Sequence, residues 1–522
     1  MKQTILTKYL KNLPTEEKGT ILLSRVTVDN IREVATSLYH VHHLPLLGIK
    51  AADERKEGDG FVIYYLFGIP SLEEKIVLQL VLGKETVFPS VTGVIHEASL
   101  YEQEMESFFG LTPAGHPFTQ QFILHENWPV GAYPLRKDFP WNKQVDQSNG
   151  RAYEFQQIAG EGVYQIPVGP VHAGIIEPGH FRFSVAGEQI VSLQPKLGYV
   201  HKGSEKLFEV VSLADKIKLS EHISGDMSFA HSLTFCQALE DLAGTRVSQY
   251  AKYMRVIYSE LERIANHIND IGFILNDTAF AFGGSNGMRL KEEIMRINEL
   301  LTGSRFLRGI NTVGGITRGV SQEVLDKTVV KLQRISRDFT EFVTIAEDTE
   351  TVMNRLMRTG YLKPEIARDH GAVGMAARMT GIERDARVHY PYAAYKELEA
   401  KICLQQSGDV YARFQLRIDE VYESMRLITR AIEKVKKEKP IAQVDSKEFS
   451  RKSFAIGISE GWRGEIVYFV MTDQQGNISR VGVRDPSFLN WPVVPYAVAD
   501  AIVPDFPLIN KSFNLSYSGF DR

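Results

Sequence analysis

The segment VSQYAKYMRVIYSELERIANHINDIG constrains this chain more than any other. Val247, Tyr250, Met254, Ile257, Leu261, Ile264, Ile268 and Ile271 recur there at intervals of three and four residues, which lays one apolar stripe along a helix. Gly272 is read as the end of that helix. A stripe this long has to be covered by other helices, and similar periodicity predicts them over 289–301, 322–347, 350–359 and 410–437.

The chain around this bundle has a different rhythm. Residues 21–27 are expected to form a strand, 28–41 a helix opening on Asp29, 60–67 and 75–82 a strand pair, and 97–109 a helix closed by Gly110. An irregular stretch rich in Pro and aromatics follows over 115–141, then a polar one over 142–162 that is the best linker candidate. Residues 164–192 alternate as a hairpin or small meander whose tip carries GPVHAGIIEPGH, and the end of the chain is expected to return to strand and coil. The fold class is therefore α+β: a small α/β domain over 1–141, a linker over 142–162, and a mainly helical domain with flanking hairpins over 163–522.

Composition enters mainly through what it excludes. The net charge of −4 comes from interspersed charges with no basic stripe, which argues against nucleic acid as a partner. The opening MKQTILTKYLKNLPTEEKG has no apolar core or small-residue cleavage site, so the chain is expected to stay inside the cell. No run reaches the ~18 apolar residues that a membrane span needs, and a membrane link would have to run through a partner. The two cysteines, Cys236 and Cys403, are read as inert buried thiols at helical spacing, and they cannot supply the four thiolates of an iron–sulfur cluster.

Two polar clusters stand out. His172, Glu177, His180 and Arg182 crowd one Gly/Pro-broken loop, where reactive groups often sit; the alternative is a solvated turn whose histidines bond to backbone. SEHISGDMSFAHS gathers Glu221, His222, Asp226 and His231 without metal-ligand spacing. The glycine-rich GGSNG and VGGITRG lack both nucleotide fingerprints and are expected to be tight turns, and no G-x-S-x-G elbow occurs.

A resemblance carries the reading further. FPSVTGVIHEASLYEQEMESFFGLTPAGHP with PLRKDF resembles the 30 kDa (C) subunit of respiratory complex I over 88–139. GPVHAGIIEPGHFRFSVAGEQIV, PKLGYVHKGSEKLFE, ELERIANHINDIG, NTVGGI, ARMTGIERDAR, EGWRGE and RDPSFLN resemble, in order, the large subunit of group 4 nickel–iron hydrogenases. That subunit is homologous to the 49 kDa (D) subunit of complex I, and fused C and D parts are familiar from formate hydrogenlyase and hydrogenase-4 type complexes. In those hydrogenases two C-x-x-C pairs hold the metals; here the four positions fall on Ser224, Met227, Ser516 and Gly519. An acidic residue linked to a structural magnesium matches Glu205, but its histidine partner is Arg522, so that metal is not carried over.

The resemblance implies a core subunit of a membrane-associated, energy-converting redox complex, with no metal or other cofactor held by this chain. It would sit peripherally on the cytoplasmic side of the inner membrane. Its partners would be a small iron–sulfur subunit like the complex I B subunit, a ferredoxin-like subunit and antiporter-like membrane subunits. A cavity lined by His172, Glu177, His180, Glu221, Asp226 and Arg463 would take a quinone-like acceptor or couple cluster reduction to proton or ion movement. Glu177 and His180 are the catalytic candidates, Glu177 as a proton-handling carboxyl raised in pKa by partial burial. The rival reading is a structural scaffold that keeps its docking surfaces and has no substrate. Elemental analysis of the purified chain is expected to find neither nickel nor iron in stoichiometric amount; one nickel per chain would overturn the ligand argument.

Overall fold

The structure is a computed structural model describing residues 8–10, 13–70, 72–118, 122–148, 153–173 and 176–522. Residues 149–152 of the expected linker and Gly174 and Ile175 of the expected hairpin tip lie outside the described residues.

The N-terminal part is built on five strands, β1 (Thr15–Lys18), β2 (Ile21–Val26), β3 (Leu46–Glu54), β4 (Gly60–Gly68) and β5 (Lys75–Gly83), in the order β1-β2-β5-β4-β3. Only β2 and β5 run parallel; the other neighbours are antiparallel. Strand β3 has no counterpart in the sequence reading. LLGIKAADE lacks clean alternation because both of its faces are covered, eight of its nine residues being buried. The expected helix over 28–41 is shorter, an α-helix over Ile31–Thr36 continued by one π-turn over Ser37–Val41. The helix Ser99–Phe109 does end at Gly110, whose left-handed φ of 68° suits glycine.

The bundle turns on the helix Gln249–Asp277, packed between Ala281–Thr302 and Val410–Val435, with Gln322–Glu347 outside. The helix does not stop at Gly272. A Cβ on Gly272 would lie 2.9 Å from the Cα of Gly287 on the next helix, so this glycine permits a close helix contact and is no terminator. GGSNG likewise lies inside the helix Ala281–Thr302 and forms no tight turn. Gly314 and Gly315, at φ 87° and 147°, do form a turn between Asn311–Thr312 and Gly315–Ile316. Among the described residues, no helix is long and apolar enough to cross a membrane.

A three-stranded sheet, Val163–Val168, His180–Ala186 and Gln189–Lys196, carries the expected hairpin. A second, Phe454–Glu460, Glu465–Thr472 and Ile478–Arg484, packs on the N-terminal sheet, the Tyr64 ring lying 5.5 Å from Phe454 and 5.1 Å from Phe469. Beyond it come short helices, Pro486–Asn490, Val494–Val498, Phe506–Phe513 and Tyr517–Asp521, where strand and coil were expected. Three of these helices carry Pro in the first turn, where its missing N–H costs nothing.

Charge also joins the N-terminal sheet to the larger half. Lys50 lies 3.8 Å from both Glu104 and Glu205, Arg480 2.8 Å from Glu205, and Arg522 3.2 Å from Glu104 and 3.4 Å from Glu205, all buried. Burial pushes the Lys50 ammonium down to about 8 against the pull of the two carboxylates.

Two outcomes follow from this packing. Gly287→Ala places a Cβ 2.6 Å from the Cα of Gly272 and is expected to cost about 1–3 kcal/mol, read as a lower denaturation midpoint; an unchanged midpoint would refute the close contact. We propose that the polar stretch 142–162 separates two domains, so limited proteolysis should cut there first. The buried ion cluster should then keep both fragments together on gel filtration, and cleavage starting inside the helix Gln249–Asp277 would refute the division.

Candidate functional site

A cavity of about 560 Å³ opens between the hairpin tip, the loop ahead of the helix Ser228–Ala243, and the segment running from Phe506 to Ser518. Val168, Phe181, Phe506, Leu515 and Tyr517 make an apolar wall; Ser224, Asp226, Arg463, Asn514 and Ser516 make a polar floor.

The floor is a closed network. Arg463 grips Asp226 bidentately, with Nη1 2.5 Å from Oδ1 and Nη2 2.7 Å from Oδ2, while its Nε donates to the Asn514 carbonyl at 2.5 Å. The guanidinium lies 3.9 Å over the Trp462 ring, so Arg463 is held on all sides and only 4% exposed. Ser224 Oγ sits 2.9 Å from Ser516 Oγ and 3.1 Å from Asp226 Oδ1, and Ser516 Oγ in turn accepts the Gly519 N–H at 2.9 Å. Behind the floor, buried His231 is 3.0 Å from both Asp485 Oδ2 and the Tyr468 hydroxyl.

The four positions that the resemblance would match to metal thiolates lie close together here, and none carries a thiol. Ser224 and Ser516 face each other, Met227 is fully buried with its sulfur beside Gly461, and Gly519 has no side chain. A Cβ on Gly519 would come 2.5 Å from the Asp485 carboxylate carbon, so a side chain there needs that acid to move. Among the described residues, no group of three or more His, Cys, Asp or Glu is arranged around a common point as a metal site would require. Glu205 does not fit a magnesium: Lys50, Arg480 and Arg522 surround it, and they overcome burial to pull its carboxyl to about 2.

Four of the six expected cavity residues, His172, Glu177, Asp226 and Arg463, line this space; His180 and Glu221 do not. Strand alternation explains His180. Phe181 turns into the cavity wall, so His180 and Arg182 point to the other face, where the His180 ring lies 5.3 Å from Phe155 and Arg182 stacks on Phe155 at 4.3 Å. Glu221, 3% exposed at the end of the helix Leu213–Ser220, instead accepts the Gly309 N–H at 2.6 Å, and burial raises its carboxyl. Glu177 is exposed on the cavity rim, so the burial expected for it is missing. Its Oε2 accepts the Tyr517 and Ser518 N–H groups at 3.1 and 3.3 Å, tying the hairpin tip to the far lip. His172 closes the tip on itself, Nε2 lying 2.7 Å from the Gly179 carbonyl.

Sequence reasoning missed Asn510, Lys511, Asn514 and Tyr517. Tyr517 had one available signal, its adjacency to Ser516; burial pushes its hydroxyl up to about 12, with Asn510 opposing. The two thiols lie elsewhere. Cys236 is buried in a helix, whereas Cys403 is half-buried in an irregular stretch, not the helix expected. Burial raises both, Cys403 to about 12.

Comparison with known proteins agrees with this architecture. The respiratory-chain NADH dehydrogenase 30 Kd subunit family matches residues 24–145, and the 49 Kd subunit family matches residues 276–455 and 450–522. Formate hydrogenlyase subunit 5 of Escherichia coli is 32% identical over 506 residues, covering 95% of this chain and 88% of that protein. Hydrogenase-4 component G of the same organism is 31% identical over 515 residues, covering 97% and 89%. A chain from the structure of the membrane-bound sulfane sulfur reductase, an archaeal respiratory membrane complex, shares the fold at a TM-score of 0.65 and 22% identity, covering 70% of this chain and all of that one. The chain therefore belongs to the family that joins the 30 kDa and 49 kDa subunits of respiratory-chain NADH dehydrogenase in one polypeptide, alongside the large subunits of formate hydrogenlyase and hydrogenase-4.

Proposed function

We propose that this chain is a core subunit of an energy-converting respiratory complex, works without a nickel–iron centre of its own, and offers its cavity to a quinone-like electron acceptor. Electrons would come from an iron–sulfur cluster in a small partner subunit like the complex I B subunit. A ferredoxin-like subunit and antiporter-like membrane subunits would complete the assembly on the cytoplasmic side of the inner membrane. Family membership supports the setting, and the donor set supports the missing metal. Nickel and iron in such sites need thiolates, for which two hydroxyls, a thioether and a bare glycine are no substitute.

The observation that carries the acceptor is the division of the cavity. An apolar wall faces a charged, hydrogen-bonded floor in about 560 Å³, within the roughly 300–1,000 Å³ of small-molecule sites. A flat ring would pack against Phe181, Phe506 and Tyr517, while Arg463, Asn510 and Asn514 would meet its carbonyl oxygens. Glu177 would handle the proton at the rim, because a carboxylate exposed to solvent on one side and to the cavity on the other can exchange with both. His172 would act through the hairpin tip that it closes.

Glu177→Gln keeps the two N–H contacts in reach while removing the ionisable proton. In native membranes the assembled complex should survive this change, with turnover falling by roughly 10², the worth of a positioned acid or base. Unchanged turnover with intact assembly would favour the rival scaffold without substrate.

A further inference from the structure

Away from the cavity, the larger half buries a charge count that does not balance. Three guanidiniums, Arg263, Arg378 and Arg387, meet four carboxyls, Glu260, Asp385, Glu420 and Glu460, and none of the seven is more than 1% exposed. Arg263 reaches Glu260 at 3.2 Å and Glu420 at 3.1 Å; Arg387 reaches Asp385 at 2.7 Å and Glu260 at 3.2 Å; Arg378 reaches Glu460 at 2.7 Å and also bonds Glu420. Neighbouring arginines add no ion pair to these four carboxyls: buried Arg413 bonds Ser512, the Met379 sulfur and the Gly408 and Gly360 carbonyls. Arg417 is committed to Asp270 at 2.9 Å and Arg463 to Asp226 at 2.5 Å. A buried carboxylate without a counter-charge takes up a proton.

Geometry decides which group takes it. Glu420 accepts from Arg263, Arg378 and His267, and Glu260 from Arg263, Arg387, Tyr395 and Ser424. Asp385 is gripped by the Arg387 side chain and caps its backbone N–H. Glu460 has one cation, Arg378, and one backbone donor, Ala386 N at 3.0 Å. His267 is the other basic group in reach, its Nε2 2.7 Å from Glu420. Its Nδ1 is buried without a partner, so an imidazolium would bury an unmet donor.

We propose that this cluster is a proton reservoir, an internal site that holds one exchangeable proton on Glu460. Charged and titratable groups from each element around that residue bear on it: Arg378 by direct contact, Asp385 from the turn before Ala386–His389, Arg263 through the Glu460 carbonyl at 2.8 Å, Glu420 through the shared Arg378, Tyr392 whose hydroxyl accepts the Glu460 N–H at 3.0 Å, and, opposite it in the strand pair, Glu465, itself paired with Arg384 and Arg484. Burial first, then Asp385, push its carboxyl up to about 7, where the proton can come and go. The reservoir exists whatever occupies the cavity, yet the two are joined. Three residues beyond Glu460 the chain reaches Arg463 on the cavity floor, and Trp462 between them donates to the Asp226 carbonyl at 3.1 Å. A negative charge arriving in the cavity would favour the protonated form of Glu460, and its departure the ionised form.

Infrared difference spectroscopy of the full chain across neutral pH tests this. A carboxylic-acid C=O band, shifted by deuterium exchange, should titrate in the wild type and be lost in Glu460→Gln. Asp385→Asn leaves three carboxylates for three guanidiniums, so the same band should vanish although Glu460 is untouched. A band that persists in Glu460→Gln, or that Asp385→Asn leaves unchanged, overturns the proposal. So does a Glu460→Gln chain that fails to fold, because the amide replaces an acid already held neutral at the lower pH.

Discussion

Three buried guanidiniums hold the larger half together. Arg263 and Glu260 project from the helix Gln249–Asp277, Arg378 from Met375–Arg378, Arg387 from Ala386–His389 with Asp385 at its cap, Glu420 from Val410–Val435 and Glu460 from the sheet edge. Apolar packing alone would let these elements slide past one another. Paired guanidiniums do not, because breaking one pair strands a charge in the interior at a cost of about 3–5 kcal/mol. The apolar stripe says that helices will pack; the arginines say in which register.

The same logic joins the two halves. Glu205 receives Lys50 from the N-terminal sheet and Arg480 and Arg522 from the far end of the chain, while Glu104 shares Lys50 and Arg522. The position that the family resemblance links to magnesium is surrounded by the chain's own cations. Side chains supply positive charge there, and Arg522 lies one helical turn from Ser518 at the cavity.

Much of this was legible in the residues where one period dominates. The helix Gln322–Glu347 has the bounds that its periodicity predicts, and Ser321 caps its start through the Val324 N–H. Legibility failed where a residue had two meanings. Gly272 stops a helix in one context and admits a neighbouring helix in another, and only Gly287 across the interface decides between them. Strand β3 was hidden because Lys50 and Asp53 look solvated until their partners from distant segments are known. At the site, Asp226 and Arg463 were found through motifs, but their bidentate pairing spans more than 230 residues and leaves no local trace. His180 was misplaced by proximity to His172: it opens a strand whose alternation turns Phe181 to the cavity and His180 away, whereas His172 sits in the tip before that strand.

The contact between Ser224 and Ser516 bridges 292 positions of chain, and this sets when the cavity can come into being. Contacts of such long range form late, since the loop between them must close before they contribute anything. During synthesis the hairpin, the bundle helices and Arg463 all leave the ribosome before Ser516 and Tyr517. A nascent chain that has emerged only as far as Arg463 thus carries half a pocket, with Asp226 and Arg463 open to water, and the segment from Phe506 to Ser518 supplies the rest of the floor and wall. Competence to bind is gained only when the segment from Phe506 to Ser518 folds onto the rest.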